Sequence, residues 1–334
     1  MSEMRWKHSR ILLGTLLIML LAALTVASAK QEKPARPAGQ GVYTISDNVD
    51  LVLLDASVKD PRGGYVTGLN KNNFRVFEDG RPQEITQFAN ADTPVTVGLI
   101  VDNSGSMRFK RPEVIVAGLA FAKESNPQDE FFVVNFNNSV TRGLPAQTLF
   151  TDNLQMLRSA LYYGEPQGQT ALYDAIAYSL KHLEYSHRDK RTLIVVSDGG
   201  DNVSSTHFPE LLKLIEASRA TIYTVGLYDR EDHDLNPGVL RKISNISGGE
   251  FFQPDTLQDV MPVFEKISKD IRNCYSIGYV PDEINNKRPV RTVKVMATED
   301  NRKLIVRTRT AYTTTPLSQL TAEKGKRDLE QKQQ

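Results

Sequence analysis

One cysteine in 334 residues, Cys274, excludes a disulfide within the chain, so stability has to come from a packed core. Lys and Arg total 41 against 40 Asp and Glu, so the basic surplus that a phosphate-backbone binder needs is missing and nucleic acid is excluded as a partner. Histidine is scarce: His182, His187, His207 and His233 show no ligand spacing, which argues against an imidazole-bound metal and places them at the surface. Neither a G-x-S-x-G elbow nor a G-x-x-x-x-G-K-[ST] loop occurs, which removes the two commonest serine-hydrolase and nucleotide signatures. What is present is an ordinary globular composition, 40% hydrophobic, long enough for about two domains.

The only long apolar run, Ile11 to Val26, follows Arg5, Lys7 and Arg10 and ends in Ala27-Ser28-Ala29. That three-part pattern predicts a secretory signal over 1–29, cleaved after Ala29, and a periplasmic or secreted protein; an uncleaved membrane anchor is the alternative. Removal of 1–29 takes three basic residues and Glu3, leaving 38 positive against 39 negative. Residues 30–41, KQEKPARPAGQG, suit a flexible leader. The N-x-S strings at Asn137, Asn202 and Asn245 matter only in a glycosylating pathway and are read as chance.

From 42 to 90 the pattern is β: "LVLLDASV", a turn at "DPRGG", "YVTGL", then two arms about the Asp79-Gly80 hairpin signal. Beyond Pro94 the chain alternates apolar strands ("VTVGLIV", "EFFVVNF", "RTLIVVS", "TIYTVGL", a short "EFF") with helices over 112–122, 172–183, 209–217 and 257–271. Near-continuous apolar strands between helices predict an α/β, doubly wound, mostly parallel sheet covered on both faces, over about 94–272. After Cys274, read as a buried small hydrophobe, β character returns over 274–312 without helices, so these strands are expected to join those of 42–90 in one antiparallel, sandwich-like unit. Residues 313–334 are polar and expected to fray.

Three junctions of the α/β part carry oxygen donors: Asp102, Ser104 and Ser106 in "DNSGS", Thr170 before a helix, and Asp198 at the end of "LIVVSD". Carboxyl ends of parallel strands converge on one crevice, so residues nearly a hundred positions apart meet there. Carboxylates and hydroxyls without His or Cys suit a hard cation, Mg²⁺ with Mn²⁺ as an acceptable substitute. Five such groups fill the shell only in part, leaving a place for water or for an acid brought by a partner. Gly105 allows the tight turn between the serines. Asp201 reads as a solvated turn residue or as an acid that orients ligands, Asp174 as a first-turn acid favoured by the helix dipole, and Arg307 and Arg309 as a solvated strand face.

The D-x-S-x-S, distant Thr, distant Asp pattern resembles the metal-ion-dependent adhesion site of von Willebrand factor A domains, at Asp102, Ser104, Ser106, Thr170 and Asp198. The resemblance implies that the serines and threonine approach the metal directly, that the aspartates often act through water, and that a ligand carboxylate completes the shell. "VTGLNKNNFRVFEDGRPQEITQF" before the domain, with "CYSIGYVP" and "LIVRTRTAY" after it, resembles an exported bacterial group with a von Willebrand A-related domain, typical of Acidobacteria. The reading that follows is an exported, Mg²⁺-dependent protein-binding module that is not an enzyme. Its alternatives are a metal-dependent phosphatase or hydrolase, against which Ser104 stands where a phosphoaspartyl enzyme needs a second acid, and a metal-independent scaffold.

Overall fold

A computed structural model describes residues 51–90, 92–198, 200–228, 236–281 and 289–322. The signal, the leader, the start of the first β segment, His233 and the last twelve residues fall outside the described residues. Residues from Val49 onward cluster as one unit.

The first flank supplies β1 (Val52–Lys59), β2 (Phe74–Glu78), β3 (Arg81–Gln83) and β4 (Ile85–Ala89). Asp79 and Gly80 both take left-handed φ, 48° and 80°, the backbone twist that lets two residues join β2 to β3. Next come β5 (Val95–Asp102), α1 (Arg111–Glu124), β6 (Glu130–Phe136), β7 (Val140–Arg142), α2 (Leu154–Leu161), α3 (Leu172–His182), β8 (Lys190–Ser197), α4 (Phe208–Ala217), β9 (Thr221–Gly226), α5 (Pro237–Ser247), β10 (Phe251–Phe252) and α6 (Val260–Arg272). The second flank gives β11 (Tyr275–Tyr279), β12 (Val290–Glu299), β13 (Arg302–Lys303), β14 (Ile305–Arg307) and β15 (Ala311–Thr313).

The central sheet runs β10-β9-β8-β5-β6-β7, parallel except for the edge strand β7. All of β5 is buried, as a strand in the middle of a sheet covered on both faces must be. Helix α1 packs against α2 and α6, and α4 against α3 and α5, forming two helix groups about the sheet. The flanks form two antiparallel sheets, one ordered β14-β1-β11-β4 and one running β13-β12-β2-β3 with β15 also paired to β12. The expected fold class is therefore present, an α/β layer on a mostly parallel sheet with antiparallel sheets contributed by both flanks.

The two flanking sheets share a core that includes Leu54, Val76, Ile277 and Val295, with the Phe74 and Tyr275 rings 5.1 Å apart. A polar knot crosses it: Glu78 accepts from the Tyr279 and Tyr312 hydroxyls at 2.7 Å each and pairs with Arg291 at 2.5 Å, so the buried carboxylate keeps its full set of partners. The flanks are tied to the α/β layer by Asp270 of α6, which accepts from Ser57 of β1 at 2.6 Å and from Arg307 of β14 at 2.5 Å.

Several expectations need correction. "YVTGL" forms no strand, only a bridge from Tyr65 to Lys59, because Gly68 turns the backbone left-handed at φ 84°. Helices α2 and α5 and the strand β7 come in addition to the elements expected. His182 is buried, not at the surface, packed 4.6 Å from the Phe132 ring with its Nε2 on the Leu149 carbonyl. Arg309 is buried and Arg307 is half-buried in ion pairs, so these two do not form the solvated face expected of them. Beyond Thr313, residues 317–322 are helical and Leu317 is buried in the α/β core, so this part of the segment does not fray. Cys274 is buried, donates to the Asp270 carbonyl, and has its thiol pushed up to about 12 by burial, which keeps it inert.

Candidate metal centre

Asp102 is the last residue of β5, and parallel pairing brings the end of β8 beside it. The Asp102 carboxylate is fully buried; its Oδ1 accepts from the Ser104 backbone N–H at 2.8 Å and its Oδ2 from the Ser197 hydroxyl at 2.6 Å. These two bonds fix the carboxylate at the strand tip. A single 3₁₀ turn over Gly105–Met107, anchored by the buried Met107 side chain, then carries the serine hydroxyls to 3.1 Å from each other.

Thr170 arrives from the loop before α3 and is also buried. Its loop is held by the Gly105 N–H on the Gly168 carbonyl, 3.1 Å, and by a reciprocal pair with Asn202: Thr170 N–H donates to Asn202 Oδ1 at 2.9 Å, and Asn202 N–H to the Thr170 carbonyl at 3.1 Å. The segment after Asp198 is stapled to α3 by two acids. Asp201 accepts from the Tyr173 N–H and the Ser204 hydroxyl; Asp174 accepts from the Ser205 and Thr206 N–H groups and both hydroxyls. Asp174 thus does more than face a helix dipole, and Asp201 is not a freely solvated turn residue.

Asp198 itself is 8% exposed, and its Oδ2 is buried without a hydrogen bond, 3.8 Å from the Lys110 ammonium. Burial, with the charge of Asp198 next, pushes the Asp102 carboxyl up to about 7, against the hydrogen bonds from Ser197 and Ser104. Two buried carboxylates lie within each other's field, and one of them keeps an oxygen that accepts no hydrogen bond, with the Lys110 ammonium 3.8 Å away as its counter-charge. Among the described residues no group of three or more His, Cys, Asp or Glu gathers, so the donor set here is hydroxyl-rich oxygen. Those residues fit a hard divalent cation.

Asp102, Ser104 and Ser106 are brought together by one strand tip and its turn, Asp198 by the neighbouring strand, and Thr170 by the loop bonded to both. The sequence does not point to Ser197 or Lys110 as part of the site, and it shows Asn202 only as the start of an N-x-S string. Ser197 carries a weak signal, as the residue before an acid at the end of an apolar strand; the other two carry none, because loop contacts set them.

A comparison with curated proteins found no match. Among solved structures, the chain is similar to a von Willebrand factor type A protein from Catenulispora acidiphila at 14% identity and TM-score 0.48, over 83% of this chain and 76% of that one. It is similar to the ArnB paralog VWA2 from Sulfolobus acidocaldarius at 14% identity and TM-score 0.44, over 81% and 78%. It also matches proximal thread matrix protein 1 from the mussel byssus at 14% identity and TM-score 0.45, over 55% of this chain and about half of that one, 49%. The model of the von Willebrand factor type A domain family matches residues 97–200, the stretch that runs from the middle of β5 to just past Asp198 and holds all five oxygen side chains.

Proposed function

We propose that the chain is an exported binding module that captures an acidic side chain of a partner protein through Mg²⁺ held by Asp102, Ser104, Ser106, Thr170 and Asp198. The observation that carries this reading is Asp198 Oδ2, buried without a hydrogen bond, faced by Lys110 at 3.8 Å, and beside a second buried carboxylate at the tips of adjacent parallel strands. The three hydroxyls and two carboxylates would hold the ion, with Mn²⁺ accepted in its place. Bound there, the cation supplies a Lewis-acidic position for an external carboxylate.

The chain's own residues do the rest. Ser197 and the Ser104 N–H orient Asp102, the 3₁₀ turn aims Ser104 and Ser106, and Asn202 sets Thr170. Ser104 stands two positions after Asp102, where a phosphoaspartyl enzyme would place its second acid, which favours binding over turnover. Export rests on the basic, apolar, small-residue pattern of residues 1–29.

The test is a pull-down from cell extract with Mg²⁺, with EDTA, and with S106A in Mg²⁺, alongside calorimetric titration of Mg²⁺ into each protein. Binding of Mg²⁺ and chelator-sensitive capture are expected for the wild type, with both weakened by S106A. Equal recovery in all three arms rejects the reading.

A further inference from the structure

The seam between the α/β layer and the flanking sheets holds two neighbouring cavities of about 360 and 410 Å³ that share Leu53, Arg219 and Arg309. A third guanidinium, Arg191, lines the first. Arg309 is 8% exposed, and among the described residues its hydrogen bonds run from Nη2 to the carbonyls of Ser218, at 2.5 Å, and Ile215, at 3.3 Å, at the end of α4. Among the described residues Arg191 likewise donates only to backbone carbonyls, those of Arg188 and Ser186. Arg219 is exposed and makes no hydrogen bond or ion pair among the described residues.

Four guanidiniums line the first cavity; Arg291 is paired with Glu78, while Arg191, Arg219 and Arg309 have no carboxylate within ion-pair distance among the described residues, although Glu184 and Glu216 line the same cavity. Burial pushes Arg309 down to about 10; the charge of Asp55 opposes this, and Arg219 adds repulsion. Burial and then Arg219 also lower Arg191. Like charges gathered at a half-enclosed, low-dielectric surface are costly unless an anion lies among them. Guanidinium forks match the oxygens of carboxylate and phosphate. The same cavity is also lined by the apolar side chains of Leu53, Leu183 and Leu317.

We propose that this cavity is a second binding site, for a small amphipathic anion whose carboxylate or phosphate head pairs with Arg219 and Arg309 and whose apolar body lies against Leu53, Leu183 and Leu317. The cavity volume suits a ligand of about the size of an eight-carbon chain with its head group, near the lower end for small-molecule sites. The site is separate from the strand-tip crevice: Lys190 and Thr221, at the starts of β8 and β9, line the second cavity, so the pair opens at the opposite edge of the sheet from Asp102 and Asp198.

The experiment uses the full chain and four probes below their aggregation concentrations: octyl phosphate, octanoate, octanol and inorganic phosphate, each titrated calorimetrically. Saturable one-to-one binding is expected for octyl phosphate or octanoate, at least tenfold tighter than for octanol or inorganic phosphate. The tighter of the two anions identifies the head group. Because Arg309 also holds the end of α4, its loss would disturb folding, and the deciding variant is R219E on the exposed, unbonded side chain. R219E is expected to melt as the wild type does, to keep its response to Mg²⁺, and to bind the anion at least tenfold more weakly. Absence of saturable binding, octanol binding as tightly as the anions, or an unchanged affinity in R219E overturns the proposal.

Discussion

Gly168→Ala isolates what the loop before α3 contributes to the strand-tip crevice. Gly168 has φ 79°, and a Cβ there would overlap Asn138 Oδ1, the atom that accepts from the Gln169 N–H at 2.9 Å. A left-handed backbone costs an alanine about 1 kcal/mol. Asn138 is exposed and can rotate away, so the overlap adds only the lost hydrogen bond, roughly 0.5 to 1 kcal/mol. The sum is about 2 kcal/mol. Gly63→Ala is the matched control: φ is 87° and no atom lies within 4 Å of its Cβ position, which leaves the conformational cost of about 1 kcal/mol alone. At about 2 °C per kcal/mol for a chain of this size, Tm should fall by about 4 °C in the first variant and about 2 °C in the second. The Gly168 carbonyl also holds the Gly105 N–H, so a shifted loop parts Thr170 from the serines. Mg²⁺ affinity should then drop on the order of tenfold in Gly168→Ala, equivalent to 1.4 kcal/mol, and stay unchanged in Gly63→Ala. Thermal melts and Mg²⁺ calorimetry on both variants decide it; equal losses of stability, or an unaltered Mg²⁺ affinity in Gly168→Ala, refute the reasoning.

Mg²⁺ at a hundred times its dissociation constant should raise stability by about 2.7 kcal/mol, seen as a rise in Tm of about 5 °C that EDTA reverses; a flat response contradicts a cation site. Ser106→Ala should weaken Mg²⁺ binding while shifting stability by less than about 0.5 kcal/mol, since this side chain is exposed; a large drop in Tm would make the hydroxyl structural. Glu78→Gln should cost roughly 3 to 5 kcal/mol by leaving the buried Arg291 without its counter-charge, measured by urea unfolding, with wild-type stability as the disproving result. His182 has its pKa lowered from 6.5, first by burial, so the unfolded chain takes up a proton that the folded one resists. Stability should therefore fall as pH drops below about 6.5, and His182→Gln should flatten that part of the pH profile of Tm.

Legibility followed the range of the interaction. The all-buried β5, the Asp79-Gly80 turn and the D-x-S-x-S string are written in adjacent residues, and each stands where local chemistry puts it. Helix α5 also has local marks, Asn236 as cap, Pro237 at its first position and left-handed Gly248 at its end, but its apolar face is short and shows only against β9. Arg309 and His182 looked like surface residues because nothing near them in sequence reveals the α4 carbonyls or the Phe132 ring that enclose them. Asp102 and Asp198 were within reach because parallel strands end on one side. Their partners Ser197, Asn202 and Lys110 depend on how two loops meet, which no periodicity records.

The interleaving of the flanks also dictates an order of assembly. Val52 pairs with Tyr279 and Phe74 with Ala297, so neither outer sheet can close until almost the whole chain has been synthesised, whereas β5, β6 and β8 find one another much sooner. During that interval β1 and β2 carry open hydrogen-bonding edges of the kind that invite pairing with another chain. A truncation that removes β11 to β15 would leave the α/β layer able to form and strand the first segment without a mate.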